Sequence, residues 1–131
     1  MPSDTDWTIL ENYLIHNGYN YDSTKAENKI AKSLAATKTW KSTEKTGAVG
    51  NTDYPAYRNK TGFSAFPEGL RAVYNNIGCF SDVGSNCYWW STTKYNTEKA
   101  IIRCILFTDT GLRTSSEYKE RGLSVRCLKD N

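Results

Sequence analysis

With 131 residues, 17 basic and 14 acidic side chains and a formal charge of +3, the chain fits one domain, residues 1–131. A core of that size buries roughly two-thirds of the unfolded chain's surface without a metal or a staple. The basic residues are scattered, which argues against nucleic acid as a partner, and no apolar run approaches the ~20 residues that a membrane-spanning helix needs.

In chain order, Ser3 and Asp6 form a capping-box pattern, and Trp7, Leu10, Tyr13 and Leu14 recur at helical spacing until Asn17-Gly18. A second helix is expected after a cap at Asp22 or Ser23, with Ala26, Ile30, Ala31 and Leu34 as its apolar stripe. Lys25, Lys29 and Lys32 then fall on the opposite, solvated side. From Thr37 to Lys60 the composition turns to Thr, Lys, Gly, Asn and Asp, which predicts an irregular excursion anchored by Trp40, Val49 and Tyr54-Pro55-Ala56-Tyr57. Asn59-Lys60-Thr61 fits a glycosylation sequon, a pattern too short to carry weight.

The second half reads as short strands: Leu70 to Tyr74, Cys87 to Thr92, Ala100 to Phe107, Leu112 to Ser115 and Leu123 to Leu128, with a polar loop after the first. Helices first and antiparallel strands afterwards make an α+β domain. Trp89 and Trp90 mark the strand at its centre, Cys87, Trp89 and Ser91 on one face and Tyr88, Trp90 and Thr92 on the other. Its expected partner is the strand from Leu123 to Leu128. The expected core comprises Trp7, Leu10, Leu14, Ile30, Leu34, Phe63, Trp89 or Trp90, Val125 and Cys127, while Arg103 and Arg126 act as scaffold cations within apolar strands. Cys79, Cys87, Cys104 and Cys127 form no metal pattern; free thiols or a single bridge are favoured over a framework, and Cys79 and Cys87 can pair if the ends of the loop between them meet.

Catalysis finds little support. His16 is the only histidine, at the end of the first helix, and no HExxH, P-loop or GxGxxG motif occurs. No spacing promises a metal site or a cofactor.

Pro-Ser-Asp-Thr-Asp-Trp-Thr-Ile-Leu-Glu-Asn-Tyr-Leu, Gly-Phe-Ser-Ala-Phe-Pro-Glu-Gly-Leu-Arg, Tyr-Trp-Trp-Ser-Thr-Thr and Gly-Leu-Ser-Val-Arg-Cys-Leu-Lys-Asp follow one another along nearly the whole chain. This succession resembles the Fibrobacter succinogenes major paralogous domain family. The resemblance implies a C-type lectin-like fold, similar to that of sulfatase-modifying-factor proteins, with two helices on a twisted antiparallel sheet. It also implies an extracellular or cell-surface setting, in bacteria or displayed on phage. Met1-Pro2-Ser3-Asp4 lacks the regions of a signal peptide, so Met1 is expected to begin an excised segment with any export signal upstream.

Glu68 and Leu70 depart from the family's usual residues, as do Ile101, Ile102, Cys104, Leu106 and Phe107. Matching motifs with differing residues between them are similar to the variable proteins of diversity-generating retroelements. The cysteine pair of formylglycine-generating enzymes has no counterpart, and the Glu-Pro-Asn type of calcium-dependent sugar motif is absent. The expected function is therefore a non-enzymatic module that binds protein or glycan, with a structural module of an adhesin or pilus-like assembly as the alternative and an enzyme related to the formylglycine-generating enzymes as the third reading. Tyr74, Asn76, Asn86, Tyr95 and Asn96 are the candidate polar and aromatic contacts. Ile102, Cys104, Leu106 and Thr108 are expected to form an exposed row on the face opposite Ile101, Arg103, Ile105 and Phe107, the alternative being a strand buried on both faces with the row as core.

Overall fold

Ser3 closes the start of the first helix. Its hydroxyl accepts the Asp6 N–H while the Asp6 carboxylate accepts the Ser3 N–H at 2.8 Å, which satisfies two otherwise orphaned donors. In the computed structural model, which describes residues 1–130, this helix, α1, spans Asp4–His16. Gly18 ends it with φ +80°, the left-handed conformation a helix terminus favours. A four-residue helix α2 (Ala31–Leu34) and a 3₁₀ turn at Pro55–Tyr57 follow. The strands are β1 (Leu70–Tyr74), β2 (Ile77–Ser81), β3 (Asn86–Lys94), β4 (Lys99–Leu106) and β5 (Arg113–Tyr118). They form two antiparallel sheets, β1-β2 and β3-β4-β5, so the chain is α+β with few helices.

Helix α1 packs on β3 and β4. Cys87, Trp89 and Ser91 are buried on the near face of β3, and Trp89 meets Trp7 at 5.8 Å and Phe63 edge-on at 5.5 Å between ring centres. Opposite Trp89 on β4 stands Arg103, buried and paired with the Asp4 carboxylate at 2.6 Å. It also donates to the hydroxyls of Thr8 and Thr114. One guanidinium thus joins α1, β4 and β5, the scaffold role its strand position predicts. Arg126 is exposed but stacks 4.0 Å from the Phe63 ring centre and donates to the Phe63 carbonyl.

Residues 22–30 do not form the expected helix. Asn20 is buried, and its amide donates to the carbonyls of Thr24, Ala26 and Glu27 while accepting the Lys29 N–H. A helix would spend those carbonyls internally, so one side chain templates a loop instead; Ser23 and Glu27 turn it at φ 60° and 61°. Lys32 is likewise not on a solvated face. Its side chain is wholly buried, and its ammonium donates to the carbonyls of Asn51 (2.9 Å) and Asp53 (2.5 Å) and to the Asp53 carboxylate. Asp53 in turn accepts the Gly47 N–H at 2.8 Å. Together with Arg58, which donates to the carbonyls of Val49 and Asn51, Lys32 organises the irregular excursion from within.

The expected last strand is also corrected. Residues 123–128 make one parallel bridge, Ser124 against Trp89, and the ladder partner of β3 is β4. The other edge of β3 is shared: Gly69 bonds at Asn86, Ser124 at Tyr88 and Trp90, and Pro2 at Thr92. Three segments on one edge leave none of them room for a ladder. Val125, Cys127 and Leu128 are consequently exposed rather than core, and Leu10 and Phe63 only partly buried. The loop expected after β1 is a hairpin. Asn75 and Asn76 take φ 50° and 62° between the paired Tyr74 and Ile77, the two-residue turn that suits strand twist. All four cysteines are free thiols, Cys79 and Cys87 included.

Candidate functional site on the outer face of the sheet

Since α1 covers the Trp89 face, the register places Tyr88 and Trp90, Ile102 and Cys104, and Arg113 and Ser115 together on the other. The row of Ile102 and Cys104 expected to be exposed here is buried, at 2% and 4% exposure. Trp90 stands directly opposite Ile102, while Tyr88 and Arg113 flank Cys104 from the two neighbouring strands. Large side chains on the outer strands close over smaller ones on the central strand, so β4 is buried on both faces. Burial also pushes the Cys104 thiol up to about 11, helped by the Asp109 carboxylate.

What the outer face presents is therefore Trp90, half-buried, beside a recess of about 380 Å³ lined by Met1, Ser91, Thr92, Ala100 and Lys119. Lys119 is held at its rim by donating to the carbonyls of Asn96 (3.3 Å) and Thr97 (3.0 Å) in the β3–β4 turn. On the opposite face of the same strands, the one Arg103 and Thr114 share, the Lys99 ammonium lies 4.4 Å from the centre of the Tyr118 ring, a cation–π contact. Tyr95 projects from the same turn at 62% exposure. At the far end of the face Tyr88 donates to Asp82 at 2.7 Å and accepts from the Asn86 amide. Burial and then the Asp82 carboxylate raise the Tyr88 hydroxyl far above its ordinary range, so it stays a neutral donor. A second recess, about 260 Å³ between α1 and the last residues, exposes the rim of the aromatic core at Trp7 and Phe63.

The family model of the Fibrobacter succinogenes major domain matches residues 1–129. The chain belongs to that family. No curated protein and no solved structure matches this major domain. Among its described residues no cluster of three or more His, Cys, Asp or Glu is placed to hold a metal ion, and no helix is long and apolar enough to cross a membrane. His16 is exposed, with its ring nitrogen on the Asn12 carbonyl.

The residues singled out from sequence do not converge in this major domain. Tyr74 and Asn76 sit at the β1–β2 tip, on a different sheet from the others, and Asn76 is accounted for by its turn. Asn86 spends its amide on Tyr88. The Asn96 side chain accepts the N–H groups of Glu98 and Lys99, closing the β3–β4 turn. Ile102 and Cys104 are buried, and Leu106 and Thr108 half-buried. Of the set, Asn96 meets the recess, through the backbone carbonyl that accepts the Lys119 ammonium. Trp90 and Lys119, which line the recess, are not among them. The signal for Trp90 was present: Trp89 and Trp90 must point to opposite faces, and a single packed helix can cover only one.

Proposed function

We propose that this major domain is a non-enzymatic ligand-binding module that recognises protein or glycan through the outer face of its three-stranded sheet. The observation that carries the reading is the half-buried Trp90 at the wall of a recess that Met1, Ala100 and Lys119 also line. An indole face supplies apolar area at low entropic cost, and ammonium groups supply directional donors, the mixture that sugar rings and polar protein surfaces both require. A C-type lectin-like architecture is the finer fold reading, supported by α1 on one face of an antiparallel sheet and by the long internally bonded loop. Display outside the cell, and kinship with retroelement-diversified variable proteins, follow from the motif resemblance rather than from the site.

Glycan and protein arrays probed with the wild-type domain and with Trp90→Ala test this. Specific wild-type hits weakened by at least ~10-fold in the variant, at near-unchanged thermal stability, support the reading. Hits that survive the substitution refute this face, and a wild type silent on both arrays favours a structural module instead.

A further inference from the structure

The β1–β2 hairpin leaves one edge open. On β1, Arg71 spends its backbone N–H and carbonyl on Gly122, at 2.8 Å each, so the Arg71–Phe80 pair is a non-hydrogen-bonded one in the hairpin ladder. The backbone groups of Phe80, and by the same alternation those of Gly78, therefore point outward from β2. Natural edges of this kind are usually protected by Lys, Pro or a bulge. Ile77-Gly78-Cys79-Phe80-Ser81 has none of these, and Ile77 and Phe80 are 70% and 75% exposed.

The pattern on this edge is complementary to itself. If two β2 strands run antiparallel about a two-fold axis at Cys79, Gly78 of each copy stands opposite Phe80 of the other. Each then donates one hydrogen bond and accepts one, and every outward group is used. The side chains fit the same register, since Phe80 of one copy would stand opposite Gly78 of the other, the pairing in which an aromatic shields a strand glycine. Arg71 already crosses onto Gly78: a Cβ built there would lie 2.1 Å from an Arg71 guanidinium nitrogen. The incoming Phe80 ring would stack against that cation. A general peptide ligand would satisfy the backbone groups but has no reason to supply an aromatic at this position.

We propose that β2 is a self-association edge, through which two copies of this domain join their hairpins into one continuous antiparallel sheet. A five-residue strand pairing falls short of the ~800 Å² per partner of a stable interface, so the dimer is weak and dependent on concentration or tethering.

Cys79 reports the register. The symmetric pairing brings its two Cα atoms to about 4.5 Å, within the ~4.4–6.8 Å that a disulfide spans. The experiment uses Cys127→Ser to remove the exposed thiol, with oxidised glutathione as the oxidant. Two Cys79 thiols become one disulfide and release two reduced glutathiones. A covalent dimer expected in Cys127→Ser should be lost in Cys79→Ser/Cys127→Ser and in Phe80→Lys/Cys127→Ser. Amide hydrogen exchange on the reduced wild type gives a second readout independent of any variant's folding: Gly78 and Phe80 should become protected as concentration rises. Unprotected amides at every concentration, or a cross-link that persists with Phe80→Lys, would overturn the proposal.

Discussion

Replacing Asp53 by Asn removes the counter-charge of Lys32 while keeping the side chain's size. The Lys32 ammonium is fully buried, and Asp53 is 27% exposed. Leaving one member of a buried pair uncompensated costs ~3–5 kcal/mol; the exposure of Asp53 and the two carbonyls still bound to Lys32 place this case at about 3 kcal/mol. For 131 residues, an unfolding entropy of ~2.1 cal/mol/K per residue converts that to a fall in Tm of about 11 °C. Circular dichroism melts at neutral pH measure it. Desolvation tends to raise the Asp53 carboxyl, but hydrogen bonds from Lys32 and the Gly47 N–H hold it below 3.8. A depressed carboxylate contributes stability that is present above the unfolded value and lost as pH falls through the folded one. Wild type and Asp53→Asn should therefore converge in acid. Burial also lowers the Lys32 ammonium from 10.5, so the stranded charge should be relieved by deprotonation and the variant should recover relative to wild type as pH rises. A loss under about 1 kcal/mol, or a gap independent of pH, would refute the claim that this pair holds the excursion.

Trp89→Ala should cost ~3–5 kcal/mol in urea unfolding, and Trp90→Ala much less, because only Trp89 is enclosed by Trp7 and Phe63. Equal losses would mean that the two faces of β3 are equally packed. A thiol reagent at pH 8 should label exposed Cys127 at once, while Cys87 and Cys104, buried and with their thiols pushed up, react only on unfolding. Fast labelling of all four would contradict the burial of β4.

The helix start, the strand phases of β3 and the irregular excursion were legible because each is written in adjacent residues: a capping box, a two-residue alternation, a run of turn formers. The failures share a different cause. Asn20 cancels a helix through carbonyls up to seven positions away, and Lys32 is drawn inward by Asp53, 21 positions on; neither partner can be recognised from the local pattern. The segment from Leu123 has a strand's alternation but loses its ladder to competition for an edge already occupied by Gly69 and Pro2. The hairpin of β1 and β2 is hidden in Asn75-Asn76, because such a pair fits a polar loop as well as the two-residue turn it makes here. At the site, alternation separated Trp90 from Trp89 correctly, but the closure of neighbouring side chains over Ile102 and Cys104 belongs to packing rather than to pattern.

The union of α1 with the sheet has a kinetic consequence. Arg103 reaches Thr8 across 95 positions and the Asp4 carbonyl across 99, and the Asp4 N–H meets Thr93 across 89. During synthesis the first helix emerges from the ribosome early, yet β3, β4 and the Thr114 end of β5, the strands on which it closes, are made only much later. Closing a loop of that length is slow relative to forming local contacts. At ~5–20 residues per second, the sheet-facing side of α1 waits on the order of 5–20 s for its strands, an interval in which the nascent chain is open to chaperones and to other nascent chains.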